Sequence, residues 1–365
     1  MVTGTLINYV FLDRDTIVDN CEAGTCLHQT NCPDADYWNM KMNYGFSRRF
    51  SWVVAAVFLI LAFPGVHLYA EARPESRTRL ILLGTAGGPS IKKARAQPAS
   101  AVIVNDSVYI VDAGNGVARQ MALAGISAKK LRAVFITHNH TDHAADYGTL
   151  LLRSWLSGLS EPVNTFGPKP IEQITAAYMQ YMDWEIKLRI SDENRIPFQG
   201  LVRAHNILRD GVIYKDENVK VTAFEVPHGA AKPSYGFRFD TPDGSIVFSG
   251  DTSRSESLIK VAENADVLVH EVLALAGVDA AVNITDPGNE ALKRHIIDAH
   301  TAIEEVARIA VEAKVRKLVL NHFVPTGLPA FDRPEIWEKQ IRKIYHGDLV
   351  IGQDLMEIKI AMDRN

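Results

Sequence analysis

Four residues of metal-ligating type fall within six positions in Thr137-His138-Asn139-His140-Thr141-Asp142-His143, directly after the apolar stretch Ala133–Ile136. In an extended loop alternate side chains point the same way, so His138 and His140 can share one cation. Asp142 and His143, where the chain turns into a helix, can reach a second cation a few ångströms away. Neutral imidazoles and a carboxylate suit Zn2+, and Mn2+ or Fe2+ would also accept them. The bland alternative is a helix N-terminus that carries histidines by chance. So dense a cluster of ligand types at the end of a buried strand argues against it.

Such a loop needs a rigid frame behind it. Short strands are predicted at Arg79–Leu83, Ala101–Val104 and Val108–Val111, with Asn105-Asp106 as a hairpin turn, followed by a helix over Gly116–Leu123. Ala133–Thr137 reads as a buried strand that runs straight into His138. Ile171–Leu188 has the pattern of one long amphipathic helix, in which Tyr178, Tyr181, Met182 and Trp184 could face either the core or an apolar pocket. Strands return at Val219–Val226, Ser234–Asp240 and Ser245–Ser249, the last two joined by Pro242-Asp243-Gly244. A helix at Ala302–Glu312, a strand at Lys317–Asn321 and a helix at Pro334–Ile344 complete the pattern. Strands followed by helices, twice over, indicate an α/β fold with two sheets face to face and helices outside.

The His-x-His-x-Asp-His motif resembles the hallmark of the metallo-β-lactamase superfamily, and the similarity runs from about Arg79 to Lys359. Asp112-Ala113-Gly114 is similar to the family's structural turn before the metal loop. Val226-Pro227-His228-Gly229 resembles its third histidine motif, Phe248-Ser249-Gly250-Asp251-Thr252 its bridging-aspartate segment, and Asn321-His322-Phe323 its last histidine motif. The resemblance implies an αββα sandwich of two mixed β-sheets with two Zn2+ ions. One would be held by His138, His140 and His228 and the other by Asp142, His143 and His322, with Asp251 between them. His205, His295 and His346 match nothing in this scheme and read as surface residues.

Within the superfamily the chain looks most like the tRNase Z and arylsulfatase-like branch. Leu83-Gly84-Thr85-Ala86-Gly87-Gly88-Pro89, with Arg95 and Ser100, is similar to that branch's glycine-rich opening; Val269-His270-Glu271 and His300-Thr301 are similar to two of its further motifs. The resemblance implies a hydroxide between two ions that attacks a phosphodiester or sulfate ester. Asp142 would be part of the catalytic set, and His270, oriented by Glu271 or His300, would protonate or stabilise the leaving oxygen. Two departures stand out. Bacterial tRNase Z enzymes of that kind carry a long tRNA-gripping arm between the third histidine and the bridging aspartate, whereas only 22 residues separate His228 from Asp251 here, and they read as a plain hairpin. Asp146 stands where such relatives often have a small residue. A lactonase or β-lactamase, a tRNase Z-like ribonuclease and a non-catalytic binding module remain the alternatives, and self-association as a homodimer stays open.

A formal net charge of −4 is a poor footprint for a nucleic-acid binder; the small anionic ester expected as partner rests instead on the two cations, which can neutralise its charge. Cys21, Cys26 and Cys32, with His28 among them, lack the paired spacing of a structural zinc site. Arg48-Arg49, the apolar run Trp52–Val66 and Ala70-Glu71-Ala72 make residues 47–72 a signal peptide, with an uncleaved signal anchor as the rival reading and the only route to a membrane. Met40 or Met42 would then be the start, residues 1–46 a non-native or disordered leader, and 73–365 an exported, periplasmic hydrolase domain.

Overall fold

The computed structural model describes residues 77–360, so the cysteines, the leader and the export segment lie outside the described residues. No helix among the described residues is long and apolar enough to cross a membrane. The chain begins with β1 (Thr78–Gly84), β2 (Ala99–Val104), β3 (Ser107–Val111), β4 (Leu131–Phe135), β5 (Val163–Gly167) and β6 (Val202–Asn206). It continues through β7 (Gly211–Lys215), β8 (Lys220–Val226), β9 (Ser234–Thr241), β10 (Gly244–Phe248), β11 (Val267–Leu273), β12 (Lys317–Val324) and β13 (Asp348–Ile351), and closes with β14 (Met356–Lys359).

One seven-stranded sheet has the order β14-β1-β2-β3-β4-β5-β6 and the other β13-β12-β11-β10-β9-β8-β7. Both are mixed: the pairings are parallel from β3 to β6 and from β10 to β13, and antiparallel elsewhere. The Asn105-Asp106 turn adopts positive φ at both residues (48° and 70°), the backbone that a tight hairpin requires and that Asn and Asp tolerate.

The helices are α1 (Val117–Leu123), α2 (Thr141–Ala144), α3 (Tyr147–Leu156), α4 (Ile171–Tyr181), α5 (Asp183–Glu193), α6 (Glu256–Val261), α7 (Val278–Thr285), α8 (Glu290–Ala299), α9 (Ile303–Glu312) and α10 (Pro334–Ile341). Strand alternation divides most of the apolar residues between three cores, with a smaller fourth cluster in which Leu273 and Val324 meet Val278 and Val282. Leu80, Val102 and Phe135 meet Phe237, Phe239 and Val319 between the sheets. Residues such as Ile110 and Val134, on the other face of the first sheet, pack under Leu150, Trp155 and Ile186 of the helices. Leu268 and Leu320, on the outer face of the second, pack under Ile309 and Trp337. This is the expected sandwich with helices outside.

Two expectations are corrected. The single helix over Ile171–Leu188 is two, broken at Met182, and the bend keeps Tyr178, Met182, Ile186 and Ile190 all against the core of the first sheet. Tyr178 and Met182 therefore pack on the core, while Tyr181 and Trp184 are 80% and 74% exposed. The strand expected at Lys317–Asn321 runs on to Val324, and its register with β11 shifts where His322, at φ 43°, bulges out. A bulge redirects a side chain without ending the strand, which is how β12 delivers His322.

Candidate metal centre

Phe135, the last residue of β4, has its ring 5.5 Å from Phe166, 5.7 Å from Phe237 and 5.3 Å from Phe239. This cluster ties β4 to the second sheet directly upstream of the histidine loop, and truncating Phe135 to Ala would cost about 3–5 kcal/mol. The loop is then fixed by Asp112, whose carboxylate accepts from the Thr137 N–H (2.8 Å), the Thr137 hydroxyl (3.0 Å) and the His143 Nδ1–H (2.8 Å). The turn that holds Asp112 lies so close to the loop that a Cβ on Gly114 would stand 2.2 Å from the Asp142 carbonyl oxygen, so only glycine fits. On the opposite wall Gly250 takes φ 61°, with a Cβ position 2.5 Å from the Tyr235 carbonyl oxygen, and the turn leads into Asp251. The strands β8, β10 and β12 run in the same direction, so His228, Asp251 and His322 converge at one edge of the sheet.

Four groups of possible ligand atoms result, each within 4.8 Å; two of them hold the seven expected ligands, His138 with His140 and His228, and Asp142 with His143, Asp251 and His322, while the other two bring His300 beside His228 and Asp251 and beside Glu271 and His322. In the first, His140 Nδ1 lies 3.0 Å from His138 Nε2 and 3.2 Å from His228 Nε2. Tetrahedral ligands about 2.0–2.1 Å from a zinc ion stand about 3.3 Å apart, so the spacing fits. In the second, Asp142 Oδ2 is 3.4 Å from His322 Nε2 and 3.6 Å from His143 Nε2. Asp251 Oδ2 joins the groups, 3.2 and 3.1 Å from His143 and His322 Nε2 and 3.8 and 3.9 Å from those of His138 and His228. All seven side chains singled out in the sequence are thereby brought together.

The donor set suits divalent cations. His143 Nε2, both ring nitrogens of His322 and Asp251 Oδ1 are buried without a hydrogen-bond partner, a cost that the fold bears only where something else satisfies them. Hydrogen bonds on the far side of two rings turn the bare nitrogens inward: His143 Nδ1 donates to Asp112, and His228 Nδ1 to the Ala299 carbonyl oxygen at 2.8 Å. The charges agree. Burial alone would raise Asp142, yet His143 and His322 hold it at about 2; burial would likewise raise Asp251, and the same two histidines hold it well below the usual carboxylate range. Burial opposes a charge on His322, but Asp251 and Asp142 carry it up to about 10, while burial leaves His138 well below its ordinary value and His228 at about 4. Two buried carboxylates facing imidazoles form an anionic pocket that calls for positive charge, supplied by protons or by metal.

Family models and relatives agree with this geometry. Residues 108–323 match the domain described as "Beta-lactamase superfamily domain". The chain belongs to the metallo-β-lactamase superfamily. Proteins named Ribonuclease Z are similar to it: that of Mycolicibacterium gilvum is 29% identical over 282 residues, covering 76% of this chain and 95% of the relative, and that of Mycobacterium sp. strain KMS is 30% identical over 281 residues, with the same shares. The metallo-β-lactamase fold protein YhfI from Bacillus subtilis has the same fold, with a TM-score of 0.57 at 21% identity, covering 77% of this chain and 98% of that one. So does the short form of human tRNase Z, with a TM-score of 0.57 at 19% identity, covering 78% and 100%. The chain is accordingly a metal-dependent hydrolase.

Around the centre of this metallo-β-lactamase-fold hydrolase the remaining candidates separate. Successive residues of β11 face opposite ways, so only one of His270 and Glu271 can face the pocket. It is Glu271, which accepts from the Thr301 N–H (2.7 Å) and lies 3.4 Å from His300 Nδ1. The His300 ring is 5.2 Å from that of His228 and 5.5 Å from that of His322. His270 is fully buried, with Nδ1 on the Glu271 carbonyl oxygen and Nε2 without a hydrogen-bond partner, a position that does not fit the leaving-group role expected of it. Asp146 accepts from the Gly116 N–H and so ties α1 to the loop. Tyr235 is core, with its hydroxyl on the Ile207 carbonyl oxygen.

Three residues near the centre take positions to which the sequence assigned no role. Arg95 donates to Thr85 and to the Gly352 carbonyl oxygen, and lies 4.4 Å over the ring of Phe323, bracing the residue next to His322. Lys92 is half-buried, and burial pushes its ammonium down against the pull of Asp142. His295 is exposed, as expected, yet its ring lies 6.0 Å from that of His140 and 6.3 Å from that of His228. His205 and His346 are exposed, as read, with His205 stacked on Phe166.

Proposed function

We propose that the chain hydrolyses a phosphodiester or sulfate ester of a small anionic substrate, using two divalent ions, Zn2+ by preference. His138, His140 and His228 would hold one, Asp142, His143 and His322 the other, with Asp251 between. Two ions so held supply an activated water and neutralise charge on the ester oxygens. Asp142 and Asp251 set the anionic field, and Asp112 keeps His143 Nε2 bare. Glu271, facing His300 Nδ1, orients that ring so that Nε2 can hand a proton to the leaving oxygen. Lys92, whose ammonium donates to the Ser90 hydroxyl and feels the charge of Asp142, would add positive charge for an anionic ester. The observation that carries the reading is Asp251 Oδ2, within 3.1–3.9 Å of four imidazole nitrogens drawn from both groups. Metal analysis combined with a panel of phosphodiester, sulfate ester, lactone and β-lactam substrates tests it: two ions per chain and preferential cleavage of a charged ester are expected.

A ribonuclease is the second reading, favoured by the name that the relatives above carry. The short β9–β10 hairpin, which occupies the span between His228 and Asp251, and the acidic charge balance weigh against it. Salt-dependent cleavage of a precursor tRNA would favour it over the small ester. Export to the periplasm rests on residues 47–72 alone and belongs to the proposal on that ground.

A further inference from the structure

The seven clustered side chains are buried except that of His140, so the centre opens to solvent on the His140 side. The wall beside that opening is the last turn of α8. Its Ala299 is fully buried and accepts from His228 Nδ1 at 2.8 Å, and a Cβ on Gly229 would lie 3.4 Å from the Ala299 Cβ and 3.9 Å from His295 Nδ1. The turn is therefore locked onto a residue of the metal centre. His295, four positions before Ala299, stands on the same face of α8. Its ring lies 6.0 Å from that of His140 and 6.3 Å from that of His228 but belongs to none of the groups of ligand atoms. It is exposed, and no group among the described residues hydrogen-bonds it. A helix fixed to the site thus holds an unbonded ring N–H beside His140, the one ligand side chain of the seven that is not buried.

We propose that His295 is a substrate-binding residue that donates a hydrogen bond to an acceptor oxygen on the non-leaving portion of the ester, so that nucleotide-like phosphodiesters are selected over esters with an apolar non-leaving group. The proposal rests on the phosphodiester reading above and adds the substrate class. Two esters with the same leaving group separate the effects: thymidine 5′-(4-nitrophenyl phosphate), whose sugar and base project from the pocket, and methyl 4-nitrophenyl phosphate, which has nothing to project. His295→Ala raises KM for the thymidine ester about 3–10-fold, the range of one lost hydrogen bond, with kcat held. The methyl ester is unaffected, binding of thymidine 5′-phosphate weakens by the same factor in calorimetry, and metal content stays at the wild-type level. His295→Gln, whose amide can also donate, recovers part of the loss. Equal changes on both esters, no change on either, or loss of metal from His295→Ala would overturn the assignment. Failure of the metal-loaded wild-type enzyme to turn over either ester would instead refute the phosphodiester reading, and the assignment with it.

Discussion

Asp112→Asn changes one oxygen to an NH2 at the residue that holds the histidine loop. Its backbone, at φ 61°, is one that Asn adopts as readily as Asp, so the turn survives. The native carboxylate accepts on both oxygens, from Thr137 on one side and from His143 Nδ1 at 2.8 Å on the other. An amide can accept on one side only. With its oxygen toward Thr137, the NH2 meets the His143 Nδ1–H, and the ring escapes this clash only by moving its proton to Nε2, the atom offered to the cation. With the amide reversed, the NH2 meets the Thr137 N–H and the loop shifts. In either orientation the Asp142, His143, Asp251 and His322 group is damaged. Loss of such an outer partner lowers metal affinity about 10–100-fold, or about 1.4–2.7 kcal/mol. The His138, His140 and His228 group touches Asp112 only through Thr137 and should keep its ion. Equilibration in metal buffers followed by elemental analysis, with circular dichroism as the folding control, should therefore show one tight and one weakened equivalent. Two equivalents at wild-type affinity would refute the role given to Asp112.

Four further outcomes follow from the geometry. His300→Ala should lower kcat on an alkyl ester by about 10²–10⁴-fold but change 4-nitrophenyl ester turnover far less, because that leaving group needs no proton; equal losses would remove His300 from the proton path. His270→Ala, at a buried position away from the pocket, should lower the melting temperature and affect both esters alike, so a selective loss on the alkyl ester would restore the role denied to it here. Gly114→Ala forces a Cβ to within 2.2 Å of the Asp142 carbonyl oxygen and should cost about 1–3 kcal/mol in thermal melts; an unchanged melt would show that the turn can yield. In the metal-free protein His322 keeps its proton up to about 10, so metal uptake near neutral pH must release it, and affinity should rise with pH; a flat profile would contradict the charge assignment.

The histidine loop was legible because its ligands are local: an apolar strand followed by alternating His residues needs no tertiary knowledge. His228, Asp251 and His322 are ordinary residues one at a time, and only their order, matched to the family pattern, singled them out. The sheets were legible from alternation, yet the strand that carries His322 was cut short, because a bulge interrupts the alternation at the functional residue. The break at Met182 leaves no Gly or Pro signal in the sequence. Opposite facing of His270 and Glu271 follows from the two-residue period of a strand, and that signal was available. His295 could not have been found, since its place depends on the bond between His228 and the end of α8.

The central claim is that seven side chains from distant parts of the chain enclose a pair of metal ions. Anomalous diffraction at the zinc edge from crystals of the metal-loaded protein tests it most directly. The account predicts two peaks, one among His138, His140 and His228 and one among Asp142, His143 and His322, with Asp251 touching both. A single peak, or density remote from Asp251, would contradict it.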